Sequence, residues 1–381
     1  MQYDQVIGQS PLQLQLTELV RQNRLSHALL LLSKEGSGAL PLAIAFAQYL
    51  VCETAADTSA DAPCGVCPAC KKATQLIHPD IHFSYPTVTK KPGEKPIATD
   101  FINEWRSFVQ LQPYGNLFDW IEMIKSKENS QGKITSEECN DIIRKLSLKS
   151  FESPWKILIL WLPELMGNEG NKLLKLIEEP PPDTLLMLVS ENEANLLPTI
   201  VSRCQLIKVP ALETAAIEKA LIDRNNTPAS LAAQVAPLCE GNYREALQLV
   251  QHAEEDWQVL VRDWLNAMLK TGPVAQTKWV EEISRLGREK QKQFVRYFIH
   301  LLEQALHLRI RGAEYLIGEK ERDFAERLNK IAGIEQQEAM VNELDQAHYQ
   351  IERNANAKIL FHALTIRLYH IIQDKSVFSL S

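Results

Sequence analysis

Residues 29–50 read LLLLSKEGSGALPLAIAFAQYL. Leu29–Leu32 is a short apolar run of strand length, Gly36 and Gly38 suit a tight reversal, and the small and apolar residues after them suit a buried helix with Pro41 near its first turn. Two later apolar runs extend the pattern. Ile157–Leu160 precedes a helical stretch around Asn171–Glu178, and Leu185–Val189 precedes Leu196–Val201 and the run Gln205–Val209. Strands alternating with helices predict an α/β fold with a mostly parallel sheet covered on both faces.

A strand–glycine loop–helix unit holds nucleotide phosphates when it reads G-x-x-x-x-G-K-[ST], because backbone N–H groups surround the phosphates, the lysine supplies countercharge and the hydroxyl binds magnesium. Here the eight positions run from Ser33 to Leu40. Gly36 and Gly38 keep the turn, but Ala39 stands at the lysine position and Leu40 at the hydroxyl position. Pro41 removes a further N–H from the helix start. A second requirement of an ATPase is a carboxylate after a later strand to hold the metal. After Ile157–Leu160 come Trp161, Leu162, Pro163 and Glu164, so a ring and a leucine occupy that place and Glu164 reads as a surface or capping charge. Two independent parts of the catalytic apparatus are missing, and the loop is expected to keep its shape without productive ATP binding.

The chain has 381 residues, with 45% hydrophobic and 23% charged residues, values of a folded protein of two or three domains. Its formal charge of −7 opposes binding of a phosphate backbone by the free chain, so any role at DNA is expected to run through partners. The first residues lack a basic region followed by an apolar run, and no apolar stretch approaches spanning length, which predicts a cytoplasmic chain with no membrane contact.

Seven cysteines are an odd number, and three of them, Cys64, Cys67 and Cys70, have C-x2-C-x2-C spacing with Cys52 upstream. In a reducing compartment that pattern predicts a structural zinc site, four protein ligands leaving no open position for catalysis. Iron–sulfur ligation would need a further cysteine near Ala73 and Thr74, which is absent. The fourth ligand is either Cys52 or His78. Cys139, Cys204 and Cys239 read as small buried apolar residues, and His78, Asp80 and His82 as turn and packing residues.

Residues 86–149 form a polar interval in which KKPGEKP at 90–96 and SKENSQGK at 126–133 read as exposed loops, while FINEWRSFVQL and SEECNDIIRKLSL carry helical spacing. The first of these helices puts Phe101, Trp105 and Phe108 on one side. Past Pro210 short helical segments suffice for a small helical subdomain. The last third carries three apolar stripes: Trp257, Val261, Trp264, Leu265 and Met268; Phe294, Phe298, Leu301, Leu302, Ala305 and Leu308; and Leu360, Phe361, Leu364, Leu368 and Ile371. They predict the core of an all-helical bundle.

Several stretches together resemble the AAA+ clamp-loader family of bacterial DNA polymerase III. These are Val6-Ile7-Gly8-Gln9, Arg24-Leu25-Ser26-His27-Ala28 before the glycine loop, the four cysteines just after its helix, Asn171 to Pro181, and Leu197 to Cys204 ending in Ser-Arg-Cys. The resemblance implies an AAA+ α/β domain over 1–208 with a zinc module at about 52–70, a helical lid over 209–255 and a helical collar domain over 256–381. It implies a hetero-pentamer with the other loader subunits, delta and gamma/tau, acting on the sliding clamp and, through the complex, on primed DNA, with this chain as a catalytically silent member. Carried onto this sequence, Arg203 is the candidate arginine finger for a neighbour's ATP, the Cys52, Cys64, Cys67 and Cys70 set is the zinc module, and Ser190 and Arg244 stand where sensing residues belong but are expected to be structural. Two other readings compete: an active gamma/tau-like motor subunit holding phosphate through backbone groups alone, and a zinc-dependent nucleic-acid-binding module using Lys71 and Lys72.

Overall fold

A computed structural model describes all residues except 59, 90–92, 94, 126–130, 252–256, 313–318 and 374–381. The loop read at 90–96 therefore falls partly, and that at 126–133 mostly, outside the described residues. The chain divides into two compact units, Met1–Val250 and Gln251–Ser381.

The first unit is built on five parallel strands, β1 (Ala28–Ser33), β2 (Ile81–Ser84), β3 (Lys156–Trp161), β4 (Thr184–Ser190) and β5 (Gln205–Val209), in the order β2-β3-β4-β1-β5. β3 and β4 are buried along their whole length, as strands covered on both faces must be, and this explains their unbroken apolar runs. β2 escapes the sequence reading. At four residues it is short, and His82 and Ser84 interrupt its apolar character. Its side chains still pack inward, and burial lowers the His82 pKa to about 4. The helical stretch expected at Asn171–Glu178 is helical throughout: regular α-helix over Leu174–Glu178, entered from a 3-10 segment, Pro163–Leu173, that is kinked at Gly167.

Beyond β1 the glycine loop leads into the helix Ala39–Leu50, buried on every side between the sheet and the cysteine module. The polar interval holds the two helices that its spacing predicts, as Ile102–Leu111 and Ser136–Ser147, and a third, Leu117–Ile124, that the spacing does not give. Its helices Ile102–Leu111 and Leu117–Ile124 bury Trp105, Phe108 and Trp120, which meet Tyr85 and Trp161 with ring centroids 4.1–5.7 Å apart. This aromatic cluster is a main part of the first core. The expected helical lid over 209–255 supplies, within the first unit, the helices Thr214–Asn225, Ala229–Val235 and part of Tyr243–Gln251.

The second unit is entirely helical among its described residues, and every residue of the three stripes lies in its core. Trp264 stacks on Trp279 at 4.5 Å, and its indole N–H donates to Thr365 Oγ1 at 3.0 Å, so the buried ring keeps its polar atom satisfied. Asn354, at φ +64°, turns the chain out of the helix Ile334–Glu352, and Asn356 Oδ1 accepts the Ile359 N–H to start the last helix. Among the described residues no helix is long and apolar enough to cross a membrane.

Candidate functional site: a self-filled phosphate loop, a four-thiol group and an outward arginine

The glycine loop sits at the carboxyl end of β1, the end at which open parallel sheets bind ligands. Gly36 and Gly38 have φ of +69° and +92°, and a Cβ on Gly36 would come 1.8 Å from Asn242 Oδ1 while one on Gly38 would come 2.9 Å from the Tyr114 ring. The loop is therefore pressed against its own chain. Tyr243 N–H donates to Gly36 O at 3.2 Å, and the Gln9 side chain donates to Ser37 O at 3.0 Å and to Pro210 O at 2.9 Å. Tyr114 Oη accepts the Ile7 N–H at 2.7 Å. The VIGQ stretch thus ties the loop, the interval and residues after β5 together. The remaining crevice is about 20 Å³, room for roughly one water molecule.

Its charges are satisfied internally as well. Arg244, with its side chain 6% exposed, makes a two-point pair with Asp119, Nε to Oδ2 at 2.5 Å and Nη2 to Oδ1 at 2.8 Å, and its Nη1 lies 3.3 Å from Glu35 Oε1. Asn116 and Asn242 donate to Glu35 at 3.0 and 3.4 Å. Fork-to-carboxylate geometry is also how arginine holds phosphate, so Asp119 takes the place an anionic ligand of Arg244 would fill. Glu191 lines the crevice, and burial, with Glu35 and Glu164 adding repulsion, raises its pKa to about 8. Glu164 accepts Ser190 Oγ–H at 2.9 Å and the Glu191 N–H at 3.0 Å and is itself pushed up by burial. It caps the chain after β4 and is not the free surface charge that was the other option. Trp161 fills the position of the missing carboxylate and is buried. Tyr114, Asn116 and Asp119 went unread as site residues. The N-x-x-D pattern at Asn116–Asp119 does signal a helix cap, but nothing local says that the helix start faces Arg244.

In the cysteine module the Sγ atoms of Cys52, Cys64, Cys67 and Cys70 all lie within 4.8 Å of one another. Tetrahedral zinc with bonds of about 2.3 Å needs sulfurs about 3.8 Å apart, so the four thiols fit the ion with small adjustment. Backbone N–H groups of Ala55, Cys64, Cys67 and Cys70 point at the sulfurs of Cys52, Cys52, Cys64 and Cys67 at 3.3–3.4 Å. The amides of Cys67 and Val66 pull the Cys64 thiol down to about 6, whereas burial pushes Cys70 up. His78 is engaged elsewhere: its Nδ1 accepts the Asp80 N–H at 3.2 Å, and its Nε2 lies 3.3 Å from Glu152. Of the two candidates for fourth ligand, Cys52 is the one beside the other three.

Arg203 occupies the opposite edge of the sheet. It lies two residues before β5, whose Gln205 is in register with Leu29 at the start of β1, while Val209 is in register with Ser33 at the loop. Four residue steps of about 3.3 Å put roughly 13 Å of strand between the arginine's edge and the loop's edge. The side chain is 33% exposed; Nε and Nη2 lie 2.5 Å from Glu178 Oε1, and Nη1 donates to Thr199 O at 2.8 Å.

The sequence model of the family described as "DNA polymerase III, delta subunit" matches residues 8–213. DNA polymerase III subunit delta' of Bacillus subtilis is 30% identical over 237 residues, covering 62% of this chain and 57% of that protein. The subunit delta' of Pseudomonas aeruginosa is 28% identical over 251 residues, 64% of this chain and 62% of that one. The chain thus aligns with about three-fifths of the length of these relatives. Among solved structures, a DNA polymerase III gamma subunit-related protein from Thermotoga maritima aligns over 93% of this chain and 98% of its own, with 16% identity and a TM-score of 0.40. The stretch matched by the family model takes in the glycine loop, the four cysteines and Arg203 and exceeds half of the sequence, and the chain belongs to this DNA polymerase III clamp-loader subunit family, on the side of its delta-prime members.

Proposed function

We propose that this chain is a catalytically silent subunit of the DNA polymerase III sliding-clamp loader, working in a ring with delta and gamma/tau subunits to open the clamp and load it onto primed DNA. Its own loop handles no ATP: the lysine, the hydroxyl and the metal-binding carboxylate are replaced by Ala39, Leu40 and Trp161, and internal carboxylates already occupy Arg244. Cys52, Cys64, Cys67 and Cys70 would hold a structural zinc ion, which supplies a cross-link in a module too small to have a core of its own.

The observation that carries the reading is the position of Arg203. It stands at the strand-start edge, roughly 13 Å of strand away from its own loop, with a third of its side chain exposed. An arginine there cannot serve its own crevice, but it can reach a nucleotide bound on an adjoining subunit. Guanidinium is charged at every physiological pH and presents forked donors to phosphate oxygens, and one supplied in trans accelerates phosphoryl transfer by on the order of 10³–10⁵. The test is ATP turnover by the loader assembled from this chain and its ATPase partners, stimulated by clamp and primed template. Arg203→Ala is expected to cut the stimulated rate at least tenfold while the complex still assembles. Undiminished turnover in an intact complex overturns the trans role.

A further inference from the structure

An arginine that reaches across a boundary is useful only when its head group is held where the phosphate arrives, because a misplacement of about 1 Å can cost on the order of 10²-fold in rate. A solvated arginine on a free stem visits many rotamers and loses that freedom on engagement. Arg203 is not on a free stem. Resting on the proposed trans role of Arg203, we infer that Glu178 is a positioning residue that aims the guanidinium outward.

The guanidinium has five N–H donors. Glu178 Oε1 takes Nε and Nη2 at 2.5 Å, and Thr199 O takes Nη1 at 2.8 Å, with Ser202 Oγ at the edge of reach at 3.4 Å. The close contacts use one N–H each of Nε, Nη1 and Nη2, and the second N–H of Nη1 and of Nη2 is the part that meets an incoming anion. One acceptor comes from a side chain and the other from backbone, so the plane of the group is fixed from two directions.

Both anchors are rigid for reasons visible in the sequence. Glu178 is the last residue of the helix Leu174–Glu178; Leu176 and Ile177 beside it are buried, and Pro180, Pro181 and Pro182 end the helix so that the residue cannot slide along it. His27 Nε2 lies 2.8 Å from Ile177 O, fastening that helix to the entry of β1. On the other side Arg203 follows the turn of helix Pro198–Val201, whose Ile200 is 1% exposed and packs on Gly170; a Cβ at Gly170 would stand 3.1 Å from Ile200 Cδ1. Leu176, Ile177, Leu196 and Ile200 share one apolar cluster. Glu178 itself is 46% exposed, so its carboxylate contributes little to folding and its contact with Arg203 serves orientation instead.

The experiment uses the same assembled loader. Glu178→Ala is expected to lower the clamp- and DNA-stimulated kcat about tenfold while the KM for ATP changes less than about twofold, since the nucleotide is bound by the neighbouring subunit. Glu178→Gln keeps an oxygen acceptor at the same reach and is expected to recover most of the rate. Adding Glu178→Ala to Arg203→Ala should cost nothing further. A Glu178→Ala complex that turns over at the wild-type rate or faster, while Arg203→Ala is slow, overturns the positioning role and leaves the trans arginine standing. Equal failure of the Ala and Gln variants overturns the hydrogen-bonded tether. An Arg203→Ala complex at full rate removes the underlying reading and this one with it.

Discussion

The crevice at the glycine loop and the corner at Arg203 each hold an arginine facing carboxylate, and they differ in what is left over. At the crevice Arg244 is 6% exposed, Asp119 17%, and Glu35 stands on the other side of the guanidinium. At the corner Arg203 is 33% exposed and Glu178 46%. Depth changes what the same pair of groups does. A buried pair whose partner is removed leaves a charge in a low-dielectric setting, so the Arg244 cluster fastens the loop, the interval and residues 242–244 to one another. An exposed pair exchanges readily with water and other anions, so the Arg203 pair can direct a head group without consuming its capacity to bind.

The largest expected effect comes from discharging the buried partner. Asp119→Asn keeps an oxygen for the Asn116 N–H, now accepted by Asp119 Oδ2 at 3.1 Å, but removes the negative charge from the two-point pair with Arg244. Loss of one partner of a buried pair costs about 3 kcal/mol, taken at the low end because Glu35 remains. For a unit of this size that corresponds to a fall of roughly 6–12 °C in the calorimetric transition of the first unit, with faster amide exchange at 34–38 and 242–250. A transition within a degree or two of wild type means that packing of Tyr114 and Tyr243, not charge, holds the crevice shut.

The readable parts of the molecule and the unreadable ones divide along the same line. β1, β3, β4 and β5, the four cysteines and the three C-terminal stripes are encoded by neighbours in sequence: runs, spacings and periods that local physics interprets directly. The loss of the phosphate-loop pattern is local too, in Ala39, Leu40 and Trp161. What replaces it is not local. Asp119 and Arg244 are 125 residues apart in sequence, and no period links them. The 86–149 interval reads as polar because its charged loops dilute Trp105, Phe108 and Trp120, although these rings form a dense cluster once Trp161 joins them. β2 is lost for a related reason, being an edge strand of four residues with a histidine in its middle. At the corner, Glu178 lies in plain view within the Asn171–Pro181 stretch, and only the packing of two separate helices in one apolar cluster brings it to Arg203.

A second effect separates the crevice by pH. Glu191 is raised to about 8 by burial and by Glu35 and Glu164, so its protonated form is favoured in the folded chain. Such a group leaves the protein most stable below the ordinary carboxylate pKa and withdraws stability as pH rises through the interval up to about 8, after which the loss is complete. Glu191→Gln removes the ionisation. The variant is expected to match wild type near pH 4 and to unfold at a higher temperature than wild type at pH 8–9. A pH-independent difference between the two proteins would mean that Glu191 is solvated in the folded chain and that the crevice is more open than its 20 Å³ indicates.

The smallest effect is expected where the functional claim is greatest. Arg203→Ala removes a side chain whose ion partner is nearly half exposed and whose remaining contacts are to one backbone carbonyl and a nearby hydroxyl. Exposed pairs contribute about 0–1 kcal/mol, so the unfolding temperature of the isolated chain should shift by no more than roughly 2–4 °C, well short of the Asp119→Asn variant. A drop as large as that of the buried pair would make Arg203 part of the framework, and its loss could then slow the assembled loader simply by loosening β5. A small drop together with a large loss of stimulated turnover leaves only an action beyond the chain itself, because the residue is too far from its own loop to act there and too lightly bound to matter for the fold.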